Sequence, residues 1–182
     1  MAGLDHLHAS SFFFQDGLRP GLPDLFARAR RAGLSTSLDT GFDPRERWDG
    51  GLRETLRETD LFFPNEVELK ALSGCDDPAE GIRALANGRT RVVAKLGKDG
   101  AMALDGDQLI QVPAYPVETV DTTGAGDSFN AGFLHRWLQG APLVECLRLG
   151  AACGALSTRA LGGTAAQATL AEAEALVRSR PR

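Results

Sequence analysis

Cysteine is scarce in this 182-residue chain: Cys75, Cys146 and Cys153 are all it has, and no two of them form a Cys-x-x-Cys pair. An odd number without paired spacing proposes neither a disulfide framework nor a zinc site, so reduced core or helix positions are expected. Long apolar runs are missing too. None approaches the ~20 residues that span a bilayer, and the opening Met-Ala-Gly-Leu-Asp-His has no basic stretch followed by an apolar one. The expectation is a cytoplasmic protein with no membrane partner. Positive charge is not in excess either, with 20 Lys and Arg against 24 Asp and Glu and a net charge of -4. Nucleic acid is therefore not an expected partner, and the basic clusters at 28–31 and 178–182 read as helical faces or a tail.

Several chemical motifs are also absent. There is no Gly-x-x-x-x-Gly-Lys-Ser/Thr loop, which argues against a P-loop nucleotide site, and Gly124-Ala125-Gly126 lacks the third spaced glycine of a dinucleotide fingerprint. His6 and His8 stand two apart on a predicted strand and share a face. With no third histidine or cysteine nearby, they read as a structural or solvent-facing pair rather than a metal site.

What is present is ordinary for a folded domain: 43% hydrophobic and 24% charged residues, with glycine somewhat enriched at 21. A chain of this length can bury roughly 70% of the surface its unfolded form exposes, and one core is the working expectation. Apolar spacing predicts a strand near Leu7 to Phe14, then a helix from Pro20 to Gly33 through Leu22, Leu25, Phe26 and Ala29. A short strand at Leu34 to Leu38 follows, then a helix within Arg45 to Thr59 and a strand at Leu61 to Phe63. Helices are expected from Glu66 to near Gly74 and from Pro78 to Ala86. A buried-type strand, Val92 to Leu96, precedes two hairpin strands near Ala101 to Leu104 and Gln108 to Val112. The rest reads as helices separated at Gly140-Ala141-Pro142 and Gly162-Gly163. Strands alternating with helices imply α/β architecture and a mostly parallel sheet, with ligands expected beyond the carboxyl ends of the strands.

The strongest chemical signal is Asp121-Thr122-Thr123-Gly124-Ala125-Gly126-Asp127-Ser128-Phe129-Asn130-Ala131-Gly132-Phe133. It reads as a strand end, a small-residue turn and a helix start. Gly124, Ala125 and Gly126 let the backbone approach a phosphate closely, and the free N–H groups of a first helical turn suit an anion. Asp127 would stand beside that anion, able to accept a proton from an attacking hydroxyl; the competing reading is a helix-capping acid.

This run resembles the C-terminal signature of the ribokinase-like, or PfkB, carbohydrate kinases. The resemblance implies a ribokinase-like three-layer α/β/α fold and ATP-dependent transfer of a phosphoryl group to an alcohol of a sugar or sugar-like substrate. In it, Gly124, Ala125 and Gly126 form the anion hole, Asp127 is the base, and Asp121 borders a monovalent-cation (potassium) site; read alone, Asp121 is equally a turn-stabilising residue. Further segments fall in the family's order. Asn65-Glu66-Val67-Glu68 resembles its Asn-x-x-Glu element, implying that Asn65 and Glu68 act on the phosphates and on the hydration shell of Mg²⁺. Taken alone, the same pair reads as an N-cap with its capping-box partner. Val92 to Ala101 resembles the strand and Gly-x-x-Gly turn beside the nucleotide, with Lys95 directed to its phosphates, Lys98 solvated, and Gly97 and Gly100 serving either nucleotide or hairpin. Leu149 to Leu156, rich in alanine and glycine, would pack beside the adenine or beside a neighbouring helix, and Gly162-Gly163-Thr164 resembles the loop closing the cation site.

Two departures stand out. The glycine- and asparagine-rich substrate motif and the β-sheet lid that precede these segments in the family are absent. The chain is therefore expected to be a partial kinase domain, truncated at its N-terminus, with one sheet edge open to pairing with another chain or a second copy. Relatives acting on keto-acid sugars carry Asp-x-Asn-x-Arg before a tryptophan, and here Asp39-Thr40-Gly41-Phe42-Asp43 precedes Trp48, so the sugar is not read from this segment; Asp39 is either a ligand-side or a turn residue. Two alternatives stay open: an inactive fragment that binds nucleotide or a partner protein, and a nucleoside kinase on the same fold.

Overall fold

The computed structural model of this chain describes residues 3–180. They gather into two compact units, Met1–Ala94 and Lys95–Arg182. In the first, β1 (His6–Ala9), β2 (Ser35–Leu38), β3 (Leu61–Phe62) and β4 (Arg91–Lys95) lie side by side in that order, each parallel to the next. The helices α1 (Leu22–Arg31), α2 (Leu52–Leu56), α3 (Glu66–Ser73) and α4 (Pro78–Leu85) fall between them in the chain. The α/β architecture with a mostly parallel sheet thus holds.

Local chemistry sets these boundaries. Helix α1 carries proline in its first turn, where a missing N–H costs nothing, and turns Leu22, Phe26 and Ala29 inward. Asp77 accepts the Glu80 N–H to start α4, whose first residue is Pro78. Burying Leu38, Leu61, Phe62, Phe63, Ile82, Val92 and Val93 supplies the driving force, at about 1.5–3 kcal/mol per large side chain. Strand β2 is nevertheless mostly polar, and its hydroxyls are satisfied from neighbouring segments. The Thr36 hydroxyl donates to the Glu58 carbonyl at 2.8 Å, and Ser37 bridges His6 Nε2 and His8 Nδ1 at 2.7 Å each.

Two predicted elements come out shorter. Strand β1 stops at Ala9. Ser11 adopts a left-handed φ of 55°, and Phe12–Phe14 form a single 3-10 turn whose Phe12 and Phe13 N–H groups donate to the Asp39 and Thr40 carbonyls. The helix expected within Arg45 to Thr59 is only Leu52–Leu56. Ahead of it, Asp43 fastens the N–H groups of Arg45, Arg47 and Trp48, while Glu46, Trp48, Gly50 and Gly51 all hold positive φ, a conformation no α-helix contains.

In the second unit, β5 (Ala101–Asp105) and β6 (Gln108–Val112) form an antiparallel hairpin in register from Ala101 opposite Val112 to Asp105 opposite Gln108. Helices α5 (Ala125–Trp137), α6 (Leu143–Ser157) and α7 (Leu170–Arg178) follow. Helix α5 lies along α6, and α6 also packs on the hairpin. The α5–α6 seam is close because it is lined with glycine. A Cβ on Gly132 would sit 2.7 Å from Cys153 Sγ, one on Gly150 3.0 Å from the Phe129 carbonyl, and one on Gly154 3.1 Å from the Ala125 carbonyl. The small residues of Leu149 to Leu156 therefore turn glycines toward a neighbouring helix.

Candidate active site

Helix α5 begins without a side-chain cap. Its N-cap is Gly124, in the left-handed region at φ 73°, and the first intrahelical bond runs from the Ser128 N–H to the Gly124 carbonyl at 2.9 Å. The Ala125 N–H donates to Thr122, but the N–H groups of Gly126 and Asp127 meet no acceptor among the described residues. A helix start leaves such donors orphaned and carries the positive end of the dipole, which together attract an anion. Asp127 is the third helical residue and is exposed, so the capping reading does not apply to it; Gly124 occupies the cap.

Gly124 could hardly be another residue. A Cβ there would lie 2.9 Å from both Cα and the carbonyl oxygen of Gly163, and the backbone is left-handed besides. Beside the same turn lies Lys95, from the end of β4: a Cβ on Gly126 would be 3.2 Å from its Nζ. Lys95, Gly124, Ala125, Gly126 and Asp127 are thus brought together within one unit. Lys98, by contrast, is exposed in the turn after β4. Gly97 starts that turn and Gly100 ends it at φ 90°, where a Cβ would overlap the Val112 carbonyl at 1.9 Å. The conformation of Gly100 is fully explained by the hairpin.

Asp121 ties the turn to the loop after α6. Its Oδ1 accepts the Thr123 N–H and hydroxyl at 3.0 and 2.8 Å, and its Oδ2 accepts the Gly162 N–H at 2.8 Å. The Thr123 N–H, then the Gly162 N–H and the Thr123 hydroxyl, hold this carboxyl below the usual range, so it is an anion at neutral pH. Gly162 and Gly163 belong to the Gly162-Gly163-Thr164 segment that resembles the family's cation-site loop, and they reach this turn through the Gly162 N–H and the close approach of Gly163 to Gly124. Paired glycines in a loop far along the chain were the available signal, and only the fold shows what they approach.

Asn65 and Glu68 meet in the first unit as a complete capping box at the start of α3. The Asn65 side chain accepts the Glu68 N–H at 2.9 Å, while the two Glu68 oxygens accept the Asn65 N–H at 2.9 Å and its side-chain amide at 2.8 Å. Glu68 is 3% exposed, an uncommon burial for a carboxylate. Asp39, just after β2, accepts the Gly41 N–H at 3.0 Å in a tight turn. Past it, burial pushes the Asp43 carboxyl up, but the N–H groups of Arg45, Trp48 and Arg47 and the charge of Arg19 outweigh that and hold it low. The Trp48 ring meets Phe13 and Phe42 edge-on at 5.6 and 5.3 Å.

Residues 2–170 match the profile described as pfkB family carbohydrate kinase, a match that runs through both units. The chain belongs to this family. Its PfkB-family relatives include an uncharacterised sugar kinase of Archaeoglobus fulgidus, 36% identical over 148 residues, which are 80% of this chain and 58% of that protein. An ATP-dependent ribose-1-phosphate kinase of Halopiger xanaduensis is 35% identical over 163 residues, 89% of this chain and 51% of that protein. The chain therefore spans between half and three-fifths of the length of these two PfkB-family proteins. Among solved structures, a putative ribokinase II of Escherichia coli in complex with ATP and Mg²⁺ superposes with a TM-score of 0.84 at 26% identity, over 96% of this chain and 59% of that one. A fructokinase of Vibrio cholerae O395 bound to fructose, ADP and calcium gives 0.82 at 26% identity, over 97% and 63%. The fold is that of the ribokinase-like PfkB kinases.

Proposed function

We propose that this chain carries the phosphoryl-transfer machinery of an ATP-dependent kinase acting on an alcohol hydroxyl of a sugar or sugar-like substrate. One observation carries the reading: the uncapped start of α5, where the Gly126 and Asp127 N–H groups meet no acceptor among the described residues, Asp127 is exposed and the Lys95 ammonium lies against Gly126. Donors fixed in advance around developing negative charge are the main contribution a protein makes to phosphoryl transfer. In this reading the Gly124 to Asp127 turn receives the transferring group, Lys95 offsets its charge, and Asp127 accepts the proton of the attacking hydroxyl.

Magnesium, when bound, would offset the negative charge of the phosphates. The donor set of Asn65 and Glu68 fits an outer-sphere role. Glu68 is a carboxylate held in place by Asn65 through both of its oxygens, the oxygen chemistry that suits contact with metal-bound water, and magnesium retains several waters. Asp121, anionic and fixed between the 121–123 turn and Gly162, would border a potassium ion. Gly97 and Gly100 would shape the turn beside the nucleotide.

Calorimetry with Mg·ATP tests the nucleotide half of this proposal, and a turnover panel tests the rest. Saturable binding that weakens without Mg²⁺ is expected. A folded chain that binds no nucleotide would shift the reading to a partner-binding fragment. The panel includes nucleosides as well as sugars, because a cytidine kinase of Thermococcus kodakarensis is 39% identical over 102 residues, 54% of this chain and 37% of that protein.

A further inference from the structure

A second cluster of cations lies at the far end of α5. There the second unit forms a cleft of about 440 Å³ whose charged walls are Arg136, Arg148, Arg178 and Arg180 with Glu145 and Glu174, and whose apolar walls are Leu149 and Val177. Four arginines against two glutamates leave this cleft positive on a protein whose net charge is -4. Glu174 is taken by both Arg136, at 2.6 Å, and Arg178, at 3.5 Å. Arg148 and Arg180 have no carboxylate within ion-pair distance among the described residues. The Arg180 guanidinium instead lies over the ring of Tyr115, 5.4 Å from its centroid, and Tyr115 is buried. Arg148 and Arg180 are also the two charges acting on the Tyr115 hydroxyl, where they oppose the upward push of burial.

From this arrangement we infer that the cleft binds a small phosphate dianion, either free phosphate or the phosphate of a monoester metabolite, held by Arg148 and Arg180. Planar guanidinium forks match phosphate oxygens in pairs, and a dianion balances the residual charge where a monocarboxylate would leave half of it. Leu149 and Val177 give the cleft an apolar side that suits a compact organic group. The site is separate from the phosphoryl-transfer turn. Helix α5 runs 13 residues from Ala125 to Trp137, so its ends stand about 18 Å apart at 1.5 Å per residue. The inference does not depend on the kinase reading.

Tyr115 is the chain's single tyrosine, so selective ¹³C-tyrosine labelling gives one ring spin system lying under this cleft. The experiment titrates labelled protein with inorganic phosphate in one arm and glycerol 3-phosphate in the other, with sodium chloride at matched ionic strength as the control. A saturable shift of the Tyr115 resonances is expected with the phosphates and not with chloride; tighter binding in the second arm identifies a monoester as the ligand, and equal or tighter binding in the first identifies free phosphate. Arg148→Met and Arg180→Met should each weaken binding about tenfold or more, the usual effect of losing a charge-assisted hydrogen bond. Arg180 is exposed and Arg148 half-buried, so the Arg180→Met variant alone keeps the test valid if Arg148→Met lowers stability. An unmoved resonance, a shift reproduced by chloride, or unchanged affinity in both variants overturns the inference.

Discussion

Glu68 in α3 and Asp127 in α5 occupy the same helical position, the third residue after the N-cap, but their surroundings differ. Glu68 is buried and closed into a capping box with Asn65, so the α3 start satisfies itself. Asp127 is exposed behind a glycine cap, and the α5 start keeps its donors and its carboxylate available. Thr169 and Glu172 repeat the closed arrangement at α7, with hydrogen bonds from the Thr169 N–H and hydroxyl to Glu172 at 2.8 Å. An acid in a first helical turn is therefore not informative by itself. Whether the cap residue has a side chain able to engage it separates a structural start from one that can receive a ligand.

The sharpest way to break this contrast is Asp127→Asn. If Asp127 is the base, kcat in a coupled phosphotransfer assay falls by about 10²–10⁴, with the melting temperature unchanged because the carboxylate supports no cap; an undiminished rate removes it from that role. Gly124→Ala comes next. Left-handed strain and the clash with Gly163 should cost about 1–3 kcal/mol in denaturant unfolding and should weaken Mg·ATP binding as the turn shifts.

Smaller effects sharpen the comparison between the two closed boxes. Asn65→Ala and Thr169→Ala should each lose about 1 kcal/mol of stability, and only Asn65→Ala is expected to weaken the Mg²⁺ dependence of nucleotide binding measured by calorimetry. Equal nucleotide affinity in both would make α3 as purely structural as α7. The smallest effect is that of pH on β1. Burial, and next the neighbouring His8, lower the His6 pKa from 6.5 to about 4, while Asp60 opposes them. The unfolded chain therefore binds more protons than the folded one between those values, so stability is lost as pH falls from about 6.5 to about 4. His6→Gln should flatten that part of a melting-temperature profile.

Much of this was legible in the sequence, for reasons that are local. Proline and aspartate at helix starts, Gly74 after α3 and apolar spacing within α1 act over a few residues, and most elements fell where those signals put them. The shortened α2 was hidden because its cause is the Asp43 carboxylate gripping three backbone N–H groups, which spacing does not reveal. The Asp121 to Asp127 run could be read as a turn and helix start because its glycines and acids stand at fixed neighbouring positions. Its supports come from afar: Lys95 from the end of β4, and Gly162 and Gly163 from the loop after α6. The sequence by itself determined the α/β alternation, the family and the turn, because each rests on contiguous chemistry. Only the tertiary structure decided that Glu68 is closed and Asp127 open, that Gly150 and Gly154 face a helix, and that Arg180 lies over Tyr115 in the cleft it shares with Arg148, because burial and approach depend on residues far apart in the chain.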